Sequence, residues 1–161
     1  MSAIDRLVQW NRTHAAGTPQ LRPEPRTAVA VVSCMDARIS MPLMLGVSPG
    51  DVHVLRNAGG IVTDDTVRSL VVSQVALGTD EVMVIQHTKC GMEGLVDQQF
   101  RAEVSRLRGR APFFEIGGFP EVSHRVVESV RALRRNPLID AEVRGFVFDV
   151  DTGLVEEIEV A

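Results

Sequence analysis

Runs of apolar residues alternate with amphipathic stretches along the chain, and the two periods predict most of the elements. Ala28 to Ser33 (AVAVVS) and Glu81 to Gln86 (EVMVIQ) are short runs rich in Val and Ile with few polar breaks. Such runs read as strands buried on both faces, as in a parallel sheet. Val52 to Leu55 is a further short strand. Between these runs the pattern becomes helical. Ser2 caps a helix through Ala3 to about His14, and Asp64 and Asp65 open one that runs to Leu77 and stops at Gly78. Met92 to about Leu107 reads as a helix. In Glu121 to Arg135 the residues Val122, Val126, Val130 and Leu133 recur at helical spacing. Gly145 to Val150 and Leu154 to Val160 read as strands joined by the turn Asp151-Thr152-Gly153.

Strands alternating with helices predict an α/β fold. The expected sheet is mostly parallel, with about four strands, an antiparallel C-terminal edge strand and helices on both faces. Residues 1–27 form an N-terminal helix and a Pro-rich linker over Gly17 to Pro25. Residues 28–161 form the core of a single domain spanning 1–161.

Composition narrows the classes. The 161 residues carry a net charge of −4, which argues against a nucleic-acid partner. No apolar run reaches the roughly 20 residues of a membrane helix. The first residues do not read as a signal peptide, so the expected location is the cytoplasm. Apolar residues make up 45% of the chain; with the 13 glycines the apolar share slightly exceeds the usual, a hint of a subunit interface.

Two cysteines are too few for a disulfide scaffold. The first strand runs into Cys34-Met35-Asp36-Ala37-Arg38 and the third into His87-Thr88-Lys89-Cys90. Ligands of open parallel sheets bind beyond the carboxyl ends of the strands, so both segments are directed to one crevice. Two thiols and an imidazole make a zinc-type donor set. Three donors leave a fourth tetrahedral position, the catalytic pattern. Buried structural thiols and a redox pair are the competing readings of Cys34 and Cys90. Asp36 can reach the metal as a fourth ligand in a closed form, and Arg38 can hold it away through a bidentate ion pair.

The paired C-x-D-x-R and H-x-x-C segments resemble the β-class carbonic anhydrases, in their compact prokaryotic form. Arg56-Asn57-Ala58-Gly59, Cys90-Gly91-Met92 and the ending Val147 to Gly153 (VFDVDTG) are similar to that family too, so the likeness spans about residues 28–155. The resemblance implies a zinc lyase, a carbonate dehydratase, that reversibly hydrates carbon dioxide to bicarbonate and a proton by a zinc-bound hydroxide. It implies one Zn2+ per chain on Cys34, His87 and Cys90. It implies Asp36 and Arg38 as the catalytic pair, and a homodimer or homotetramer. Gly59 is a candidate substrate contact through its backbone N–H. His53 and His124 are candidate proton relays, and Phe113 and Phe114 candidates for the mouth of the site. The alternatives are a carbon disulfide or carbonyl sulfide hydrolase on the same scaffold, and a zinc-binding protein without turnover.

Overall fold

The apolar runs pair as their burial requires. In the computed structural model, which describes residues 1–15 and 20–161, five strands form one sheet in the order β2-β1-β3-β4-β5. They are β1 (Val29–Cys34), β2 (Val52–Asn57), β3 (Glu81–His87), β4 (Glu142–Phe148) and β5 (Val155–Ile158). The first four are parallel and β5 runs antiparallel to β4 at one edge. β1 and β3 lie side by side at the centre, and almost every residue in them is buried. Most of the linker predicted over Gly17 to Pro25 lies outside the described residues, which resume at Gln20.

The helices are α1 (Ala3–His14), α2 (Met41–Leu45), α3 (Asp64–Leu77), α4 (Asp97–Arg108) and α5 (Val122–Arg134). One sheet face packs Ala30, Val32, Val82, Val84 and Val143 against Leu70 of α3 and Val126, Val130 and Leu133 of α5. The other face buries Val31, Ile85, Phe146 and Phe148 beneath Met41 of α2, Phe119 and the loops around them. α3 begins where Thr63 Oγ1 accepts from the Thr66 N–H and ends at Gly78, whose φ of +71° suits glycine. α1 closes a capping box between Ser2 and Asp5 and buries none of its residues in the single chain.

Two boundaries correct the sequence reading. The helix expected from Met92 starts at Asp97 instead. Residues 92–94 are engaged elsewhere: Glu93 bridges Phe119, the Gly94 N–H donates to the Phe119 carbonyl, and Glu93 Oε1 accepts from the Val122 N–H. Asp97 opens α4, yet its carboxylate turns away from its own helix. It accepts from the N–H groups of Ile116, Gly117 and Gly118, and these hold it below the ordinary carboxylate range. The second correction is the hairpin strand expected over 145–150. It starts at Glu142 and ends at Phe148, because the Asp149 carboxylate takes the next backbone N–H groups into a turn.

Candidate metal centre

Because β1 and β3 are parallel neighbours, their carboxyl ends deliver Cys34 and the His87–Cys90 loop to one place. The Cys34 Sγ, Cys90 Sγ and a His87 ring nitrogen all lie within 4.8 Å of one another. The two sulfurs are 3.9 Å apart. Sulfurs at the corners of a zinc tetrahedron, each about 2.3 Å from the ion, stand about 3.8 Å apart. All three side chains are buried.

The imidazole is set for ligation. Its Nδ1 lies 2.9 Å from the Thr88 carbonyl oxygen. A carbonyl can only accept, so Nδ1 carries the hydrogen and Nε2 presents its lone pair. That Nε2 is buried without a hydrogen-bond partner, which is costly unless the atom meets a cation. The donor set, the sulfur spacing and this orphaned nitrogen all fit zinc.

The two thiols share one proton unequally. The Cys34 thiol is drawn down, chiefly by its contact with the Cys90 sulfur and with smaller help from the Asp36 and Gly59 N–H groups, against the cost of burial. Cys90 is pushed up by the same contact and by burial. A divalent cation takes the place of that proton and favours both thiolates.

Asp36 stands beside the cluster, with Oδ2 3.8 Å from His87 Nε2. Arg38 grips it with three donors: its backbone N–H and Nε donate to Oδ1 at 2.9 Å each, and Nη2 donates to Oδ2 at 2.8 Å. This side-chain and backbone donation holds the carboxyl far below its usual range, so it is ionised. The pair is therefore the bidentate one that the spacing predicts, with Asp36 on the guanidinium.

Arg56 supports this segment from the neighbouring strand, donating to the carbonyls of Cys34 at 2.8 Å and Asp36 at 2.7 Å. Asn57 ties the following turn by accepting from the Ile61 N–H and donating to the Ile61 carbonyl. Sequence reasoning marked these two residues through the resemblance alone and gave them no task. Lys89 and Asp151 also meet here, Nζ to Oδ2 at 2.5 Å.

Gly59 is buried, and its backbone N–H is near enough to the Cys34 thiol to help draw it down. His53 pairs with Ala30, near the opposite end of β1 from Cys34. Its ring meets Ser73 and the Pro23 carbonyl, so it does not join the cluster. His124 is exposed on α5, 3.3 Å from Glu121. Phe114 does line an apolar cleft with Met35 and Met92, which flank the two cysteines in sequence, whereas Phe113 is almost fully exposed.

The carbonic anhydrase family profile matches residues 29–108. Beta-carbonic anhydrase 1 of Mycobacterium tuberculosis is 38% identical over 161 residues, covering 98% of this chain and 99% of the relative. The chain belongs to the β-carbonic anhydrase family. The crystal structure of the carbonic anhydrase from Streptococcus mutans superposes with a TM-score of 0.93 at 38% identity, covering 99% of each chain. The carbon disulfide hydrolase of Acidianus is 31% identical over 178 residues, covering 94% of this chain and 84% of that enzyme. β-Carbonic anhydrases are zinc enzymes, and the Cys-His-Cys cluster is positioned to bind one metal ion.

One glycine beside the centre is required by close approach. A Cβ on Gly60 would lie 2.9 Å from both the Cys34 nitrogen and the Ser33 carbonyl carbon, at a φ of +61°. Gly60→Ala must displace the strand that presents Cys34. The expected cost is about 3 kcal/mol, a fall in Tm of about 6–12 °C by thermal melting.

Proposed function

We propose that this protein is a carbonic anhydrase that hydrates carbon dioxide to bicarbonate and a proton, with Cys34, His87 and Cys90 holding the zinc and Asp36 and Arg38 serving the reaction. One observation carries this reading: Asp36 is ionised and fully gripped by Arg38 at the edge of a three-donor cluster. A storage site has no use for such a pair. Zinc supplies a Lewis acid that lets water act as a nucleophile near neutral pH.

The chain's own residues do the rest. Asp36 Oδ2 keeps a free lone pair beside the cluster and accepts the hydrogen of the attacking water, turning the oxygen's lone pair toward the substrate carbon. Arg38 holds the carboxylate ionised and aimed. The apolar cleft of Met35, Ile61, Met92, Leu95, Phe100 and Phe114, about 390 Å³, suits a small uncharged substrate. Carbon disulfide is a second substrate reading, favoured by the Acidianus relative.

Stopped-flow hydration of carbon dioxide beside a sulfide-release assay tests both. The expected result is hydration with kcat/KM of about 10⁴–10⁸ M⁻¹s⁻¹ and little sulfide. Sulfide release without hydration transfers the site to carbon disulfide, and neither activity in zinc-loaded protein defeats the reading.

The protein is further proposed to self-associate, as a dimer or a tetramer. Ile4, Leu7 and Trp10 on α1 are 72%, 72% and 62% exposed in the single chain, a hydrophobic stripe that a second copy would cover. Light scattering on the eluting protein is expected to give at least twice the 17.6 kDa chain mass; a monomer at micromolar concentration rejects this. Two free buried thiols suit a reducing compartment such as the cytoplasm. No helix among the described residues is long and apolar enough to cross a membrane.

A further inference from the structure

The loop that carries His87 and Cys90 takes its shape from another part of the chain. Lys89 has a φ of +55°, a left-handed conformation that a side chain with a Cβ rarely adopts. Three contacts to the β4–β5 hairpin surround it. The Thr88 N–H donates to the Phe148 carbonyl at 3.0 Å, and the Val150 N–H donates to Thr88 Oγ1 at 3.1 Å. Lys89 Nζ donates to Asp151 Oδ2. The hairpin tip is itself firmly built, since the Asp149 carboxylate accepts from the N–H groups of Asp151 and Thr152.

The twist at Lys89 has an effect on the other side of the loop. It presents the Lys89 carbonyl to Arg38 Nη2 at 2.9 Å, and this same nitrogen donates to Asp36 Oδ2. One path of contacts therefore runs from the hairpin to the cluster: Asp151 to the Lys89 ammonium, the Lys89 carbonyl to Arg38, and Arg38 to Asp36. The charge of Asp151 also reaches the Arg38 guanidinium.

We propose that Asp151 and Lys89 are positioning residues: through the Lys89 carbonyl the hairpin fixes Arg38, and so fixes where Asp36 stands relative to Cys34, His87 and Cys90. The proposal rests on the reading of Asp36 and Arg38 given above. The ion pair itself is exposed, at 63% and 61% of the two side chains, so it adds little to stability. Its effect belongs in the geometry of Asp36.

Cobalt(II) loaded in place of zinc gives visible bands that respond when a carboxylate replaces water on the metal. Arg38→Ala frees Asp36 and defines one end of the scale. Asp151→Ala is expected to move the spectrum part of the way toward it and to lower kcat about three- to tenfold, with KM little changed. The Tm should stay within about 2 °C. Lys89→Arg should keep the original spectrum. In an Asp36→Ala background, Asp151→Ala should change neither spectrum nor kcat further. An unchanged spectrum and kcat in Asp151→Ala, with Arg38→Ala shifted, overturns the proposal alone. So does an equal loss of kcat in the Asp36→Ala background, which a purely structural hairpin contact would give. An unshifted Arg38→Ala overturns the Asp36–Arg38 reading, and the proposal with it.

Discussion

Cys90→Ser is expected to leave a folded protein that holds no zinc after dialysis and hydrates carbon dioxide at the background rate. Changing even a group that orients a metal ligand weakens binding by about 10–100-fold, so losing a ligand outright costs at least about 10²-fold. The serine hydroxyl does not ionise near neutral pH and cannot replace the thiolate. The fold should survive, because Cys90 lies in a loop after β3, serine is close to it in size, and the sheet face packed against α3 and α5 does not include it, although the opposite face does. Metal analysis by mass spectrometry, with circular dichroism as the control for folding, checks this. If Cys90 were a plain core thiol, the substitution would instead cost about 1–3 kcal/mol of stability and leave metal content and turnover untouched.

The second large effect is expected at Asp36. Asp36→Ala should keep close to one zinc per chain while kcat/KM falls by about 10²–10⁴-fold, the usual contribution of a positioned proton acceptor. Cys34, His87 and Cys90 remain in place, so metal content is preserved. What disappears is the acceptor whose two oxygens Arg38 holds at 2.9 and 2.8 Å. Asp36→Asn separates shape from charge: it preserves the outline but donates where the carboxylate accepts, and should lose nearly as much. Stopped-flow rates beside metal content decide the matter, and a fully active Asp36→Ala enzyme removes Asp36 from the reaction.

The centre was legible in the sequence because its parts sit at strand ends. AVAVVS and EVMVIQ announce buried parallel strands, and the residues that follow such strands share a crevice. C-x-D-x-R also predicts its own ion pair, since Arg38 and Asp36 are two residues apart. What stayed hidden depends on contacts between distant segments. The start of α4 was misplaced because Met92, Leu95 and Val96 continue a helical pattern, while Glu93 and Gly94 are drawn off by Phe119 and Val122. Asp97 sits where an acid normally favours its own helix, yet it serves residues 116–118. The Lys89–Asp151 contact joins positions 62 residues apart, and nothing local to either residue signals it. His53 does not join the cluster for a reason of register. It enters the sheet four residues before Asn57, the partner of Cys34, and so lies well down the strand from the crevice.

The placement of the donors on the two central strands has a further consequence for the life history of the chain. Cys34 and Cys90 are 56 positions apart, so an ion held between them closes a long covalent-like ring, as a disulfide would. The donors converge once β1 and β3 have paired in register, so tight metal capture comes late, after the sheet is assembled. An ion so bound stabilises the native state by mass action. Loaded protein should therefore unfold more slowly and resist proteolysis better than stripped protein, and zinc supply would govern how long each molecule lasts as well as whether it turns over.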